Sequence, residues 1–229
     1  MPTYQLNDEL WFPSSDLFDH DVVAVGGDLS PERLVLAYSL GIFPWYGDDE
    51  EILWWCPDPR CVLMIGDIKV SRSMRNILNR KQFSFSFDRD FKGVIHACRN
   101  IKRKDKGTWI HDEVEEAFIR LHELGLAHSV EVWSNRKLAG GLYGLSLGRM
   151  FFGESMFSRE PNASKSALLH LHTTLAEKGF RMIDCQVYNE HLGSLGATTM
   201  ERNEFLELMR MELQHPTIRG NWSHITDAE

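Results

Sequence analysis

The feature that most constrains this chain is a run of three strands, one long helix and a further strand in its C-terminal half. Ala127 to Trp133, Leu138 to Leu145 and Met150 to Ser155 read as strands, separated by turns at Asn135-Arg136 and Leu147-Gly148. Ala167, Leu168, Leu171 and Leu175 then recur at helical spacing, which predicts a helix from about Ser164 to Lys178, stopped by Gly179. The chain returns as a strand over Arg181 to Val187. Alternation along that strand sends Ile183, Cys185 and Val187 to one face and Met182, Asp184 and Gln186 to the other. A carboxylate and an amide then sit side by side, roughly 7 Å apart between Cα atoms. Either they form the polar outer face of an edge strand, or something polar meets them. Asn189, Glu190, His191, Gly193 and Ser194 follow at the strand's C-terminal end, where α/β folds tend to place chemistry.

The preceding chain divides softly near residue 62. Residues 1–62 are rich in aromatics and turns and form a smaller N-terminal α/β domain; residues 63–229 form the C-terminal domain. In the first part, Ser30 reads as an N-cap, Pro31 as the first helical residue and Gly41 as the stop. Ile42 to Tyr46 and Leu53 to Trp55 flank the acidic loop Asp48 to Glu51, and Pro57 and Pro59 punctuate the exit. In the second part, Val62 to Ile65 is a short strand and Ser71 caps a helix carrying Met74, Ile77 and Leu78. Phe83, Phe85 and Phe87 alternate with serines as a strand with one buried face. Phe91, Val94, Ile95 and Cys98 share a helix face, as do Val114, Ala117, Phe118, Leu121 and Leu124 before Gly125. Phe205, Leu206 and Met209 mark a last helix. The tail beyond His215 lacks periodicity and is expected to be loosely held.

Composition narrows the class. A chain of 229 residues with 43% hydrophobic content suits one or two globular domains. There is no apolar run of the ~18 residues a membrane span needs, and the N-terminus does not read as a signal peptide. Cys56, Cys61, Cys98 and Cys185 form no C-x-x-C pair and read as reduced thiols in a cytoplasmic protein. The net charge of −8 argues against a nonspecific nucleic-acid coat. Two islands, Lys69–Lys81 and Arg99–Lys106, are nevertheless basic. They are either solvated surface or the grip on one defined piece of nucleic acid.

Several motifs fail. His122-Glu123 is followed by Leu126 where a zinc-protease helix needs histidine, so no metal is expected. Gly140, Gly141, Gly144 and Gly148 lie between strands with the wrong spacing for a dinucleotide loop, and instead suggest close approach of chains. No nucleophile elbow or Walker sequence occurs. The element order fits an α+β fold, a mixed sheet flanked by helices. It also matches the N-acyltransferase-like (GNAT-like) pattern, in which a helix joins two parallel strands that splay apart to admit an acyl group. A coenzyme-A-dependent member would carry a glycine-rich loop before that helix to cradle a pyrophosphate. The link Ser158 to Lys165 has no glycine.

The segments GGDLSPERL, GIFPWY, LWWCPDPR, SRSMR, GTWI, LHELGLAHSVEVW, FFGESMFSREPNASK and IDCQVYNEHLGSLGA resemble, in order, the leucyl/phenylalanyl-tRNA–protein transferases. The likeness runs from about Val25 to about Met209. It implies transfer of leucine or phenylalanine, and less well methionine, from aminoacyl-tRNA to proteins with N-terminal arginine or lysine. That creates a degradation signal. It also implies roles by position. Trp45 and Trp109 contact the 3′-terminal adenosine, Glu154 meets the donor's α-amino group, and Asn189 lines the same site. Leu142, where the family often has methionine, and Phe151 wall the side-chain pocket. Asp184 and Gln186 form the catalytic pair, with Asp184 drawing in the acceptor amine and taking or relaying its proton. A competing view gives the work to positioning and to the tRNA ribose hydroxyls. Arg72, Arg75 and Arg103, with Arg159 and Lys165, are candidates for holding the tRNA. No cofactor is expected, and the chain is expected to be a monomer. Alternatives are a coenzyme-A-dependent N-acetyltransferase and a noncatalytic module for tRNA 3′ ends.

Overall fold

The structure, a computed structural model, describes residues 3–101 and 108–226. Arg103 lies outside the described residues. The N-terminal part pairs β1 (Tyr4–Leu6) in parallel with β2 (Val22–Gly26). Helix α1 (Pro31–Ser39) starts on the cap expected of it, with Ser30 Oγ accepting from Arg33 N at 3.4 Å. Gly41 takes a left-handed φ of 78°, which ends the helix and leads to β3 (Phe43–Pro44). With β4 (Leu53–Trp55) these strands make a sheet in the order β1-β2-β4-β3. Trp54 is wholly buried there and donates its indole N–H to Gly26 O at 2.9 Å.

Next come β5 (Arg60–Met64), α2 (Arg72–Asn79), β6 (Ser84–Phe87) and α3 (Phe91–Asn100). Helix α4 (Asp112–Glu123) is closed by Gly125 at φ 71°. Strands β7 (Ala127–Ser134), β8 (Lys137–Leu147) and β9 (Met150–Ser158) follow as the expected meander. Helix α5 (Ala163–Glu177) leads to β10 (Met182–Gln186). Helix α6 (Glu190–Ser194), β11 (Thr198–Met200) and α7 (Arg202–Glu212) complete the order.

The large sheet runs β11-β5-β10-β9-β8-β7-β6. Among the described residues, only β9 and β10, the two strands joined by α5, pair in parallel within it. Alternation assigns its side chains to two cores. Val62, Tyr143, Phe152 and Met182 pack with α1, α3, α4 and α7, while Leu63, Leu142, Phe151 and Ile183 pack with α5. The N-terminal sheet contributes to the first core, so Tyr38 of α1 lies edge-on to Phe152 of β9 at 5.3 Å. This is an α+β architecture, a mixed sheet with helices on both faces. Among the described residues, no helix is long and apolar enough to cross a membrane.

The C-terminal tail departs from expectation. Trp222 is 1% exposed and stacks on His128 at 3.7 Å, and its backbone N–H donates to Asp88 Oδ2 at 2.7 Å. Asp88 also accepts from Ser129 N and pairs with His128 Nδ1, each at 2.8 Å. One large aromatic anchors an aperiodic segment, which periodicity cannot reveal.

Candidate active site

Parallel pairing between β9 and β10 lasts three residues, from Met182 opposite Met150 to Asp184 opposite Phe152. Beyond it the strands part. Strand β9 continues along β8 as far as Ser158, whereas β10 bulges against β5, where Asp184 and Gln186 oppose the consecutive residues Val62 and Cys61. A cavity of about 340 Å³ occupies the opening. Leu142, Phe151, Leu168, Leu171 and Ile183 give it an apolar wall, and Trp45, Trp109, Val187, Asn189 and His191 also border it. Gly144 makes room for this wall, because a Cβ there would lie 2.5 Å from the Phe151 ring.

The bulge reverses part of the expected alternation. Gln186 takes a left-handed φ of 62°, so it lines the cavity with Ile183 and Cys185 instead of sharing a face with Asp184. Asp184 is fully buried and does not line the cavity. Its carboxylate receives Arg60 Nε at 2.8 Å and Nη2 at 2.6 Å, while the guanidinium lies 4.7 Å from the ring centroids of both Phe43 and Phe205. Asp184 Oδ1 also accepts from Gln186 N at 2.9 Å, which holds the bulge. The carboxylate and the amide are therefore linked through backbone, with their side chains directed apart.

Glu154 is the polar centre of the cavity. Its Oε1 accepts from Tyr38 Oη at 2.6 Å and from Gln186 Nε2 at 2.9 Å. Its Oε2 is shut off from solvent without a hydrogen-bond partner, although the residue as a whole is only half-buried on the cavity wall. Burial pushes this carboxyl up to about 8; the nearby Asp184 charge adds to the rise, and hydrogen bonds from Tyr38 and Gln186 oppose it. A cation entering the cavity would satisfy Oε2 and favour the ionised form.

Trp45, Trp109, Leu142, Phe151, Glu154, Gln186 and Asn189 thus come together around one cavity. Trp45 is exposed, with its ring 5.4 Å from Trp55. Asn189 Oδ1 caps α6 by accepting from Leu192 N at 2.9 Å. Arg72 and Arg75 are exposed on α2, and Arg159 is exposed with its Nη1 donating to Leu138 O; none of the three lines the cavity. Lys165 lies on α5 outside the lining and bears on His191 by its charge. The second basic island is partly neutralised, since Arg99 pairs with Asp112 at 2.5 Å and Glu115 at 3.0 Å. Sequence reasoning gave no role to Tyr38 or Arg60. Tyr38 looks like an ordinary member of the inward helix face, and Arg60 is visible only as the last residue of CPDPR.

The link before α5 counts against a pyrophosphate cradle. Ser158 Oγ accepts from Ser164 N at 2.8 Å and donates to Ser164 Oγ at 3.0 Å, so a side chain already occupies this helix start.

The geometry is that of a cavity at the opening of a sheet splayed between two parallel strands, and the class, an aminoacyltransferase, is shown by the relatives. The model of the leucyl/phenylalanyl-tRNA protein transferase family matches residues 62–210, and that of its N-terminal domain matches residues 27–58. A leucyl/phenylalanyl-tRNA–protein transferase of Syntrophus aciditrophicus is 56% identical over 97% of this chain and 94% of its own length. That of Desulfatibacillum aliphaticivorans is 49% identical over 97% of both chains. A solved aminoglycoside acetyltransferase from an uncultured soil metagenomic sample, bound to sisomicin, has a TM-score of 0.35 at 14% identity, covering 49% of this chain and 81% of its own. The chain belongs to the leucyl/phenylalanyl-tRNA–protein transferase family.

Proposed function

We propose that this aminoacyltransferase moves leucine or phenylalanine, and less well methionine, from aminoacyl-tRNA to the α-amino group of proteins beginning with arginine or lysine. The product carries a degradation signal. The observation that carries the reading is the pairing, in one cavity, of an apolar wall with the unpartnered Glu154 Oε2. That pairing suits an α-amino acid with an apolar side chain. The volume sits at the small end of ligand pockets, ~300–1,000 Å³, which fits an aminoacyl group better than a whole coenzyme.

In this reading Leu142 and Phe151 receive the donor side chain and Glu154 holds its α-ammonium. Trp45 and Trp109 stack on the terminal adenosine, and Asn189 borders the reacting centre. Gln186 holds Glu154 in place and faces the same space. Asp184 is a positioning residue: Arg60 occupies both of its oxygens, and it acts through the Gln186 backbone. The donor ester is already activated, so the transfer step itself draws on no ATP. The amine attacks the ester carbonyl carbon and the ribose oxygen departs. Arg72, Arg75, Arg103, Arg159 and Lys165 hold the tRNA, and the exposed loop Asp48 to Glu51 attracts the basic acceptor residue. The protein acts as a cytoplasmic monomer.

The test is to incubate the protein with labelled leucyl-tRNA and a peptide beginning with arginine, without coenzyme A. Label on the peptide supports the reading. Binding of leucyl-tRNA with no transfer would leave a noncatalytic tRNA-end module. Acetyl transfer that requires acetyl-coenzyme A would instead mark an acetyltransferase.

A further inference from the structure

The acceptor amine must lose a proton before it attacks, since an α-ammonium has a pKa of about 7.7–8.0. Among the described residues, the titratable side chains bordering the cavity are Tyr143, Glu154, Cys185 and His191. Tyr143 is wholly buried, and its ring lies edge-on to Phe91 and Phe118. Glu154 is committed to Tyr38 and Gln186, and in the proposed complex to the donor's ammonium. The Cys61 thiol beside Cys185, together with burial, raises the Cys185 thiol well above its ordinary range, which leaves it protonated. Asp184 borders no part of the cavity.

His191 is left. It follows Glu190 in the first turn of α6, borders the cavity and is exposed to solvent at its mouth. From this placement we infer that His191 is the catalytic base that accepts the proton of the acceptor α-ammonium. The inference rests on the transfer reading above. The freed lone pair forms the C–N bond to the ester carbonyl carbon, and the C–O bond to the tRNA ribose breaks. The leaving ribose oxygen takes the second amine proton. The first proton, held on the imidazole, passes to solvent at the mouth.

The charged surroundings agree. Partial burial and the positive charge of Lys165, on α5, hold the His191 imidazole below its ordinary range, so it is neutral and able to accept at pH 7. Glu154 of β9 and Cys185 of β10 share the cavity border, and Glu190 precedes His191 on its own helix.

The experiment measures kcat against pH with saturating leucyl-tRNA and an arginine-led peptide, for the unmodified protein, His191→Gln, His191→Gly and Lys165→Met. Leucyl-tRNA binding to His191→Gln serves as the folding control. The unmodified protein should show an acidic limb below the ordinary imidazole pKa. His191→Gln should lose that limb and lose kcat on the order of 10²-fold or more, the usual contribution of a general base. Added imidazole should restore turnover to His191→Gly, and Lys165→Met should move the limb to higher pH. Turnover of His191→Gln within about threefold of the original with an unchanged limb would overturn the inference, because a general base contributes far more. So would His191→Gly that binds donor normally and ignores imidazole. If the unmodified protein transfers no leucine at all, the transfer reading fails before the role of His191 is reached.

Discussion

Arg60 and Asp184 form a fully buried, two-pronged ion pair across 124 residues of chain, with the arginine between Phe43 and Phe205. The pair ties the exit from the N-terminal sheet to the strand that bulges into the cavity. Removing one partner leaves an uncompensated buried charge. Asp184→Ala should therefore lower unfolding free energy by about 3–5 kcal/mol, measured in urea. Asp184→Asn keeps an oxygen for Gln186 N–H, and its kcat should fall less than about tenfold with leucyl-tRNA binding intact. A fall of ~10²–10⁴-fold would make Asp184 the base after all.

Glu154 predicts a pH dependence. Its folded pKa, about 8, lies above the ordinary carboxylate value, so the protonated form is the one folding favours. Stability from this group is fully present below the ordinary carboxylate range and is lost as pH rises through about 8. The melting temperature of the free protein should fall as pH rises from the ordinary carboxylate range to about 8 and level off above it, and Glu154→Gln should flatten that fall. The same substitution should weaken leucyl-tRNA binding by ~10–100-fold, as losing a charge-assisted hydrogen bond does, yet spare a donor that lacks the α-amino group. Equal losses for both donors would show that Glu154 does not meet the amine.

Trp45 and Trp109 should separate from the arginines in their response to salt. Replacing either tryptophan by alanine should cost about 1–3 kcal/mol of leucyl-tRNA binding, the worth of one stacked base, and leave the salt slope unchanged. Reversing charge at Arg72 and Arg75 should flatten the slope of log affinity against log salt. An unaltered slope would return α2 to solvated surface.

The apolar wall should set donor choice. Leu142 is 3% exposed beside Phe151. Leu142→Met, nearly volume-conserving, should shift the leucine-to-phenylalanine ratio only slightly. Each methylene is worth only about 1–3 kcal/mol, so leucine, phenylalanine and methionine all pass to different extents, with β-branched valine disfavoured. A valyl-tRNA donor as good as leucyl-tRNA would refute the pocket.

Trp222 should behave as a core residue despite standing seven positions before the last residue. Trp222→Ala removes the ring stacked on His128 and should cost ~3–5 kcal/mol of stability, read by denaturant unfolding. A loss below about 0.5 kcal/mol, typical of surface substitutions, would show that the tail contributes nothing.

What the sequence determined by itself was local or carried by long matching segments. The Ser30-Pro31 helix start, the alternation of Phe83, Phe85 and Phe87, the stops at Gly125 and Gly179, and the meander leading into α5 all emerge where residues within a few positions decide them. Resemblance of ordered segments likewise placed the chain in its family and named the residues that the cavity brings together.

Only tertiary structure decided which way the decisive side chains point. Strict alternation put Asp184 and Gln186 on one face; a bulge against β5 and a left-handed φ at Gln186 sent them apart. Arg60, Tyr38 and Trp222 reach partners 124, 116 and 134 residues away, and nothing in their immediate neighbours announces it. Caps and periodic faces arise from interactions within a turn or two of chain. A buried charge finds its partner only after strand register is set, and register depends on the packing of the whole sheet.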